Sequence, residues 1–448
     1  SFQAETRAAE NLVMLCGQKG LYMNVGHFLD KVQGREKIIL NETQRLAVLR
    51  VFQNPVSIIT GGPGRGKTTI IRIIIALQEE LDKDAMILLC APTGKARRKM
   101  YESTGYPAMT IHKAVGLTGE AGEDEWNDLE AMEDDLIIAD EFSMVDMYLA
   151  DKLFSCIKRG ARLVMVGDKD QIEPVGPGNV FKEMIDSGVI PVTTLDECFR
   201  QEEGSTIISN AEKVNHNQAN LVYDDAFQFY PAKDAMDAAE IIKEIYTNEW
   251  RACHKDLDKI QVLSPLRKGT EAGSDALNQL LREVVNPKRR GHPELVNGKT
   301  IYRQGDKVMQ TKNNDEVSNG DTGEVLNIYK KEGQDVIRVD FGEDRVLEYA
   351  GTEFLPLTHA YAMTVHKSQG SQYPVVILPV LSCFRRMLRR NILYTAVTRA
   401  QEKVIIVGSK QAVMQAIRTD NVSKRNTKFG LRLRRAQERM RKRQKKPA

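Results

Sequence analysis

The 448-residue chain predicts an α/β fold built on two parallel sheets, with a small β-barrel inserted in the second, and three observations carry that prediction. Short apolar runs suited to buried strands recur at 56–60, 86–90, 137–139 and 162–166, with helix-periodic segments between them. A second set lies at 260–263, 374–378 and 403–407, again separated by helical patterns. Within that second set, 295–355 changes texture to short alternating runs broken by Gly, Asn and Asp. Strands alternating with helices imply a parallel sheet covered on both faces, whereas short alternating strands imply a barrel.

In chain order, residues 5–34 read as helical, because Ala, Leu, Val and Met recur at helical spacing. Val56-Ser57-Ile58-Ile59-Thr60 is a candidate buried strand, and Thr69 to Leu81 an apolar-periodic helix. The loop between them is Gly61-Gly62-Pro63-Gly64-Arg65-Gly66-Lys67-Thr68. Its glycines let the backbone curl with N–H groups facing inward, and the helix N-terminus adds positive potential. Phosphate is what such a cradle accepts, so a nucleoside triphosphate site is implied, with ATP and Mg²⁺ as cofactors. Lys67 would reach the β/γ-phosphates, Thr68 would place its hydroxyl on Mg²⁺, and Thr69 completes the binding set.

Leu136-Ile137-Ile138-Ala139-Asp140-Glu141 is a buried strand that ends in two carboxylates. Asp140 would hold Mg²⁺ and Glu141 would polarise the water attacking the γ-phosphate. The next strand runs into Gly167-Asp168-Lys169-Asp170-Gln171, which presents Gln171 at the same sheet edge as a γ-phosphate sensor. Arg200 and Arg399 are candidates for an arginine supplied across a domain cleft. Residues 116–135 form an acidic insertion around Trp126, Gly-rich at its start.

At this length two to four domains are expected. No apolar run approaches a membrane span, and the opening Ser1-Phe2-Gln3 suggests that a larger N-terminal region precedes it. Six scattered cysteines without a Cys-x-x-Cys pair argue against a zinc site or disulfide framework and for a reducing cytoplasm. Net charge is only +3, yet twelve Lys or Arg face one acid, Glu438, between Lys424 and Lys446. Such a tail is either a solvated end or a contact for nucleic acid or a protein partner.

The ordered set of motifs resembles superfamily 1 DNA helicases, and among them the RecD-like branch, from about Leu40 to Gly408. Leu40-Asn41-Glu42-Thr43-Gln44 is similar to the adenine-reading glutamine motif, with Gln44 as reader, and Gly61 to Thr68 to motif I. Ala91-Pro92-Thr93-Gly94-Lys95-Ala96 is similar to motif Ia, and Thr110-Ile111-His112 to the element after it. Asp140 to Asp146 resembles motif II, Gly167 to Gly178 motif III, and Arg200 falls in motif IV. Thr364-Val365-His366-Lys367-Ser368-Gln369-Gly370-Ser371-Gln372 resembles motif V, and Tyr394 to Ala400 motif VI.

The resemblance implies two RecA-like P-loop domains closing on ATP, with single-stranded DNA across them and 5′-to-3′ movement. The implied domain bounds are 1–35 for a helical N-terminal remnant, 36–195 for the first RecA-like domain, and 196–294 with 356–418 for the second. Residues 295–355 would be an SH3-like barrel, 419–448 a basic tail, and 116–131 a short strand-separating pin. Trp126 would be its wedge or an anchor to its own domain. DNA contacts carried over are Pro92, Thr93, Lys95, His112, Thr364, His366, Ser368 and Gln369. Three positions depart from the pattern: Arg65 contacts phosphate or points to solvent, Phe142 packs, and Glu173 replaces Pro or an apolar residue. The implied activity is an ATP-dependent DNA helicase of repair or recombination, a monomer acting on single-stranded and forked duplex DNA. Open alternatives are an ATP-gated clamp or translocase without unwinding, the helicase module of a conjugative relaxase, or an RNA helicase.

Overall fold

The computed structural model of the chain describes residues 2–18, 24–117, 131–195, 205–291, 293–298, 300–314, 316–342, 345–351, 353, 356–420 and 425–444. They gather into two compact units, Ser1–Glu203 with Ser423–Ala448, and Gly204–Val422. Among the described residues no helix is long and apolar enough to cross a membrane.

The first unit opens with α1 (Phe2–Cys16) and α2 (Gly26–Glu36). The single helical stretch expected over 5–34 is therefore two helices, the first closing with Gly17, whose N–H bonds back to the Val13 carbonyl at 3.1 Å. Next come α3 (Glu42–Gln53), β1 (Val56–Thr60), α4 (Lys67–Leu81), β2 (Ile87–Ala91), α5 (Gly94–Thr104), β3 (Ala108–Thr110) and α6 (Ile111–Ala114). The unit continues with β4 (Leu136–Ala139), α7 (Met147–Cys156), β5 (Arg162–Gly167), α8 (Val180–Ser187) and β6 (Val192–Thr194). Among the described residues the strands form one parallel sheet in the order β3-β2-β4-β5-β1-β6. Side chains alternate across it. Ile58, Ile137, Leu163 and Met165 pack on the side of α1, α7 and α8, whereas Ile59, Ile138, Val164 and Val166 pack on the side of α2, α3 and α4. Each buried branched aliphatic side chain stabilises by about 1.5–3 kcal/mol, so both faces hold the central strands in place. β4, β5 and β1 are neighbours, which brings the ends of three motif-bearing strands to one edge.

The second unit runs α9 (Thr206–Asn215), β7 (Phe227–Pro231), α10 (Ala235–Ala252), β8 (Ile260–Ser264) and α11 (Ser274–Val285). A β-rich stretch comes next: β9 (Glu294–Asn297), β10 (Thr300–Arg303), β11 (Lys307–Gln310), β12 (Thr322–Lys331), β13 (Gln334–Asp340), β14 (Val346–Ala350) and β15 (Leu357–His359). The unit ends with β16 (Ala362–Thr364), β17 (Tyr373–Val380), α12 (Arg390–Val397), β18 (Ala400–Gly408) and α13 (Lys410–Arg418). Its parallel sheet has the order β16-β8-β17-β18-β7. The β-rich stretch pairs as an antiparallel sheet β14-β13-β12-β11-β15 beside the hairpin β9-β10. The β12–β13 turn has Glu332 and Gly333 at φ +52° and +80°, the mirror-image geometry that matches strand twist. Val308, Val325, Ile337, Val339 and Tyr349 fill its core.

The chain then returns to the first unit as α14 (Phe429–Gln444). The basic stretch expected to be either a solvated end or a contact is helical over Phe429–Gln444 and packs on the first unit. Phe429, Leu433 and Ala436, spaced at helical period, are buried with α1, α7 and α8. Arg432 Nε donates to Glu5 at 2.8 Å, and the Gly430 N–H donates to Glu183 at 3.0 Å. Ala8, Ala9 and Leu12 of α1 belong to the same core.

Candidate functional site

Because β1 and β5 pair, the loop after β1 starts tied to the end of β5. The Gly61 N–H donates to the Gly167 carbonyl at 3.1 Å, and the Lys169 N–H to Thr60 Oγ1 at 3.2 Å. Gly64 and Gly66 sit at φ +73° and +77°, a left-handed conformation that side chains rarely tolerate, and Gly66 caps α4. Lys67 folds over the loop, its Nζ donating to the carbonyls of Gly61 at 2.5 Å and Gly62 at 3.4 Å. Thr68 and Thr69 occupy the first turn of α4, half-buried, as are Gly62, Pro63 and Arg65. The arrangement is a curled loop, an ammonium and a helix N-terminus on one spot, a set that binds phosphate.

Asp140 and Glu141 come directly after β4. The Glu141 N–H donates to Asp140 Oδ1 at 2.8 Å. Burial first, then the Glu141 carboxylate, pushes Asp140 up to about 6, while Lys67 and Lys99 pull it down. Burial is thus the main reason the charged form of Asp140 is disfavoured, and the neighbouring Glu141 carboxylate adds to it. Glu141 has φ +50°, a left-handed backbone in a non-glycine residue. Strain of this kind costs on the order of 1–3 kcal/mol and clusters where chemistry is done. Phe142 packs between Phe154 and Phe181, ring centroids 6.3 and 6.0 Å away, and fixes the turn that aims the pair.

Gln171 is buried at the end of the β5 loop, its Nε2 donating to Asp168 at 3.4 Å. Among the described residues its Oε1 has no hydrogen-bond partner. A buried amide oxygen left in this state costs free energy unless a ligand or water reaches it.

Gln44 does local work: Asn41 Oδ1 accepts from its N–H at 2.7 Å, and its Oε1 accepts from the Asn41 N–H at 3.2 Å, closing a capping box on α3. Arg399 is buried in the second unit after α12. Its guanidinium donates to the carbonyls of Thr395 and Ser371, each at 3.2 Å, and to Thr398 Oγ1 at 3.4 Å. Arg200, Trp126 and most of the 116–131 segment lie outside the described residues.

The nucleic-acid candidates divide by burial. Pro92, Thr93 and Lys95 sit half-buried where β2 passes into α5, with Thr93 Oγ1 accepting from the Ala96 N–H at 3.2 Å as a helix cap. On α6, His112 is exposed, and partial desolvation lowers its pKa while Asp146 opposes the shift. Thr364, which ends β16, and His366 just beyond it are half-buried. Ser368 and Gln369 are buried, and Ser368 Oγ donates to the Val365 carbonyl at 2.8 Å. These two shape the turn and do not face solvent. Lys367 belongs to the same motif but not to the expected contacts, and it donates to Asn319 of the β11–β12 loop at 2.5 Å. Its pKa is lowered by burial and then by Arg267. Arg267 acts on Lys367 from a distant stretch of sequence, which leaves no local pattern to find.

Residues 44–177 match the family described as an AAA domain, 359–407 a UvrD-like helicase C-terminal domain, and 277–341 an ATP-dependent RecD-like DNA helicase SH3 domain. The chain is 35% identical over 378 residues to the ATP-dependent RecD2 DNA helicase of Deinococcus radiodurans, covering 83% of this chain and 50% of that protein. It is 30% identical over 420 residues to the RecBCD enzyme subunit RecD of Mycobacterium tuberculosis, covering 84% of this chain and 70% of the other. A solved Pif1 helicase from Candida albicans aligns at a TM-score of 0.46 and 18% identity, over 84% of this chain and 97% of that one. The chain thus spans half the length of the Deinococcus relative and about seven-tenths of the mycobacterial one. With the RecD identity extending over that share of both chains and an SH3 match specific to RecD-like helicases, this chain belongs to the RecD-like branch of the superfamily 1 DNA helicases.

Proposed function

We propose that this chain hydrolyses ATP to move 5′ to 3′ along single-stranded DNA and to part the duplex ahead of it, as a monomer in the cytoplasm serving repair or recombination. The observation that carries the reading is the Asp140–Glu141 pair, half-buried at the edge where Lys67 and the curled loop gather. Direction rests on membership of the RecD-like branch. Forked DNA and single-stranded DNA are the substrates that the motif residues support.

The donor set fits Mg²⁺. Asp140 supplies a hard carboxylate oxygen and Thr68 a hydroxyl, and Mg²⁺ takes one or two such ligands while keeping water and phosphate oxygens. Bound there, the ion would neutralise charge on the β- and γ-phosphates. Lys67 exchanges its loop carbonyls for phosphate oxygens. Glu141 orients and polarises the attacking water. Gln171 gives its amide to the γ-phosphate, and Arg399, with Arg200, supplies positive charge to the transferred group. Thr93, Lys95, His112, Thr364, His366 and Lys367 hold the strand by phosphate and sugar contacts, so affinity falls as salt rises.

The test is unwinding of duplexes carrying a 5′ or a 3′ tail, with and without ATP. Opening of the 5′-tailed substrate alone, only with ATP, supports the reading. A preference for 3′ tails overturns the direction, movement without strand separation favours a translocase, and stimulation of hydrolysis by RNA alone overturns the choice of DNA.

A further inference from the structure

The five residues from Pro174 to Gly178 form a loop that cannot satisfy itself. Pro174 and Pro177 lack an N–H, so the carbonyls here need donors from elsewhere. One arginine supplies most of them. Arg425, from the segment leading into α14, donates through Nη1 to the carbonyls of Gly176 and Gly178, the latter at 2.8 Å, and through Nη2 to that of Pro174. The Pro177 carbonyl accepts from the Met147 N–H at 2.8 Å. The loop is also pressed against the segment after Glu141: a Cβ on Gly176 would lie 1.9 Å from Asp146 Oδ2, and Gly178 stands at φ +92°. Gln171 lies three residues before this loop and α8 two residues after it.

The start of α14 anchors Arg425. Phe429 is buried in the first unit, and the Gly430 N–H donates to Glu183 on α8. The same segment therefore grips the loop and the helix that the loop enters. Nothing in the ATP-site motifs accounts for a guanidinium placed over three alternate carbonyls.

We propose that Arg425 is a positioning residue for nucleotide turnover: it fixes the 174–178 loop and, through it, the Gln171 amide that meets the γ-phosphate. The inference rests on the reading of the site as an ATPase driven by single-stranded DNA. Lys in place of Arg would keep the charge but lose the fork that spans several carbonyls.

The experiment is steady-state ATP hydrolysis with saturating single-stranded DNA, for wild type, Arg425→Ala, Arg425→Lys and Leu433→Ala. A displaced sensor lowers kcat, and misplacement of about 1 Å costs up to about 100-fold, so kcat for Arg425→Ala should fall between about 10- and 100-fold with KM for ATP within about twofold. Arg425→Lys should fall between wild type and Arg425→Ala. Leu433→Ala should lower the thermal midpoint, because it undercuts α14, yet keep most of kcat. A folded Arg425→Ala variant with wild-type kcat overturns the proposal, as does equal loss of kcat in Leu433→Ala. If the alanine variant does not fold, a wild-type kcat in Arg425→Lys overturns it instead. A wild type with no DNA-stimulated hydrolysis overturns the ATPase reading first, and this role with it.

Discussion

The two parallel sheets carry their motif residues in opposite conditions. At the edge of the first, the groups are held away from rest: Glu141 has a left-handed backbone, Asp140 is pushed up to about 6, and Gln171 Oε1 lacks a partner among the described residues. In the second unit the corresponding groups are satisfied by their own surroundings. Arg399 spends its guanidinium on Thr395, Ser371 and Thr398, and Ser368 closes its own turn. On the function proposed above, the difference would amount to a division of labour, with nucleotide chemistry in the first unit and charge and grip from the second.

The sharpest way to break that division is Arg399→Ala. Loss of an arginine finger costs about 10³–10⁵ in turnover where it has been measured, and kcat should fall on that scale while ATP affinity stays near wild type. Loss of ATP binding along with turnover would place Arg399 in ground-state binding and blur the comparison. Next in size, Glu141→Gln should cut hydrolysis by about 10²–10⁴, the usual contribution of a general base, with ATP still bound. A nucleotide-binding titration alongside the rate separates these two variants from loss of the site itself.

Gly176→Ala sharpens the picture of the first unit's edge. Its new methyl would meet Asp146, and overpacking of this kind costs about 1–3 kcal/mol, read as a lower denaturation midpoint in urea. The smallest effect concerns the second unit. Burial and Arg267 lower the pKa of Lys367, so its folded-state value lies below that of a free lysine and its charge is lost earlier as pH rises. Phosphate favours the charged form. DNA affinity should therefore weaken as pH climbs toward the alkaline range, and Lys367→Arg, which stays charged, should flatten that slope. A slope unchanged in the arginine variant removes Lys367 from the interface.

Much of the first unit is legible in the sequence because its strands are long apolar runs. The run at 56–60 coincides with β1, and 137–139 and 162–166 fall one residue short of β4 and β5. The edge strands β3, β6 and β16 escape such a reading, since three residues carry no periodicity. β7 escapes for another reason: Phe227–Pro231 ends in proline and half-exposed aromatics, which mimic a loop. The last helix is hidden by its charge. Phe429, Leu433 and Ala436 keep a helical spacing, but an arginine stands in every gap between them and basic residues follow. At the site, Lys67, Asp140, Glu141 and Gln171 can be found because each lies at a fixed offset from a strand end. Arg425 cannot, because it recognises backbone carbonyls, which are the same in every sequence.

The most direct measurement of the central claim is the rate of ATP hydrolysis as single-stranded DNA is titrated into wild type and Glu141→Gln. The account predicts a steep rise with DNA in the first and a flat baseline in the second. A wild-type rate that ignores DNA, or a Glu141→Gln variant that matches it, would contradict the claim.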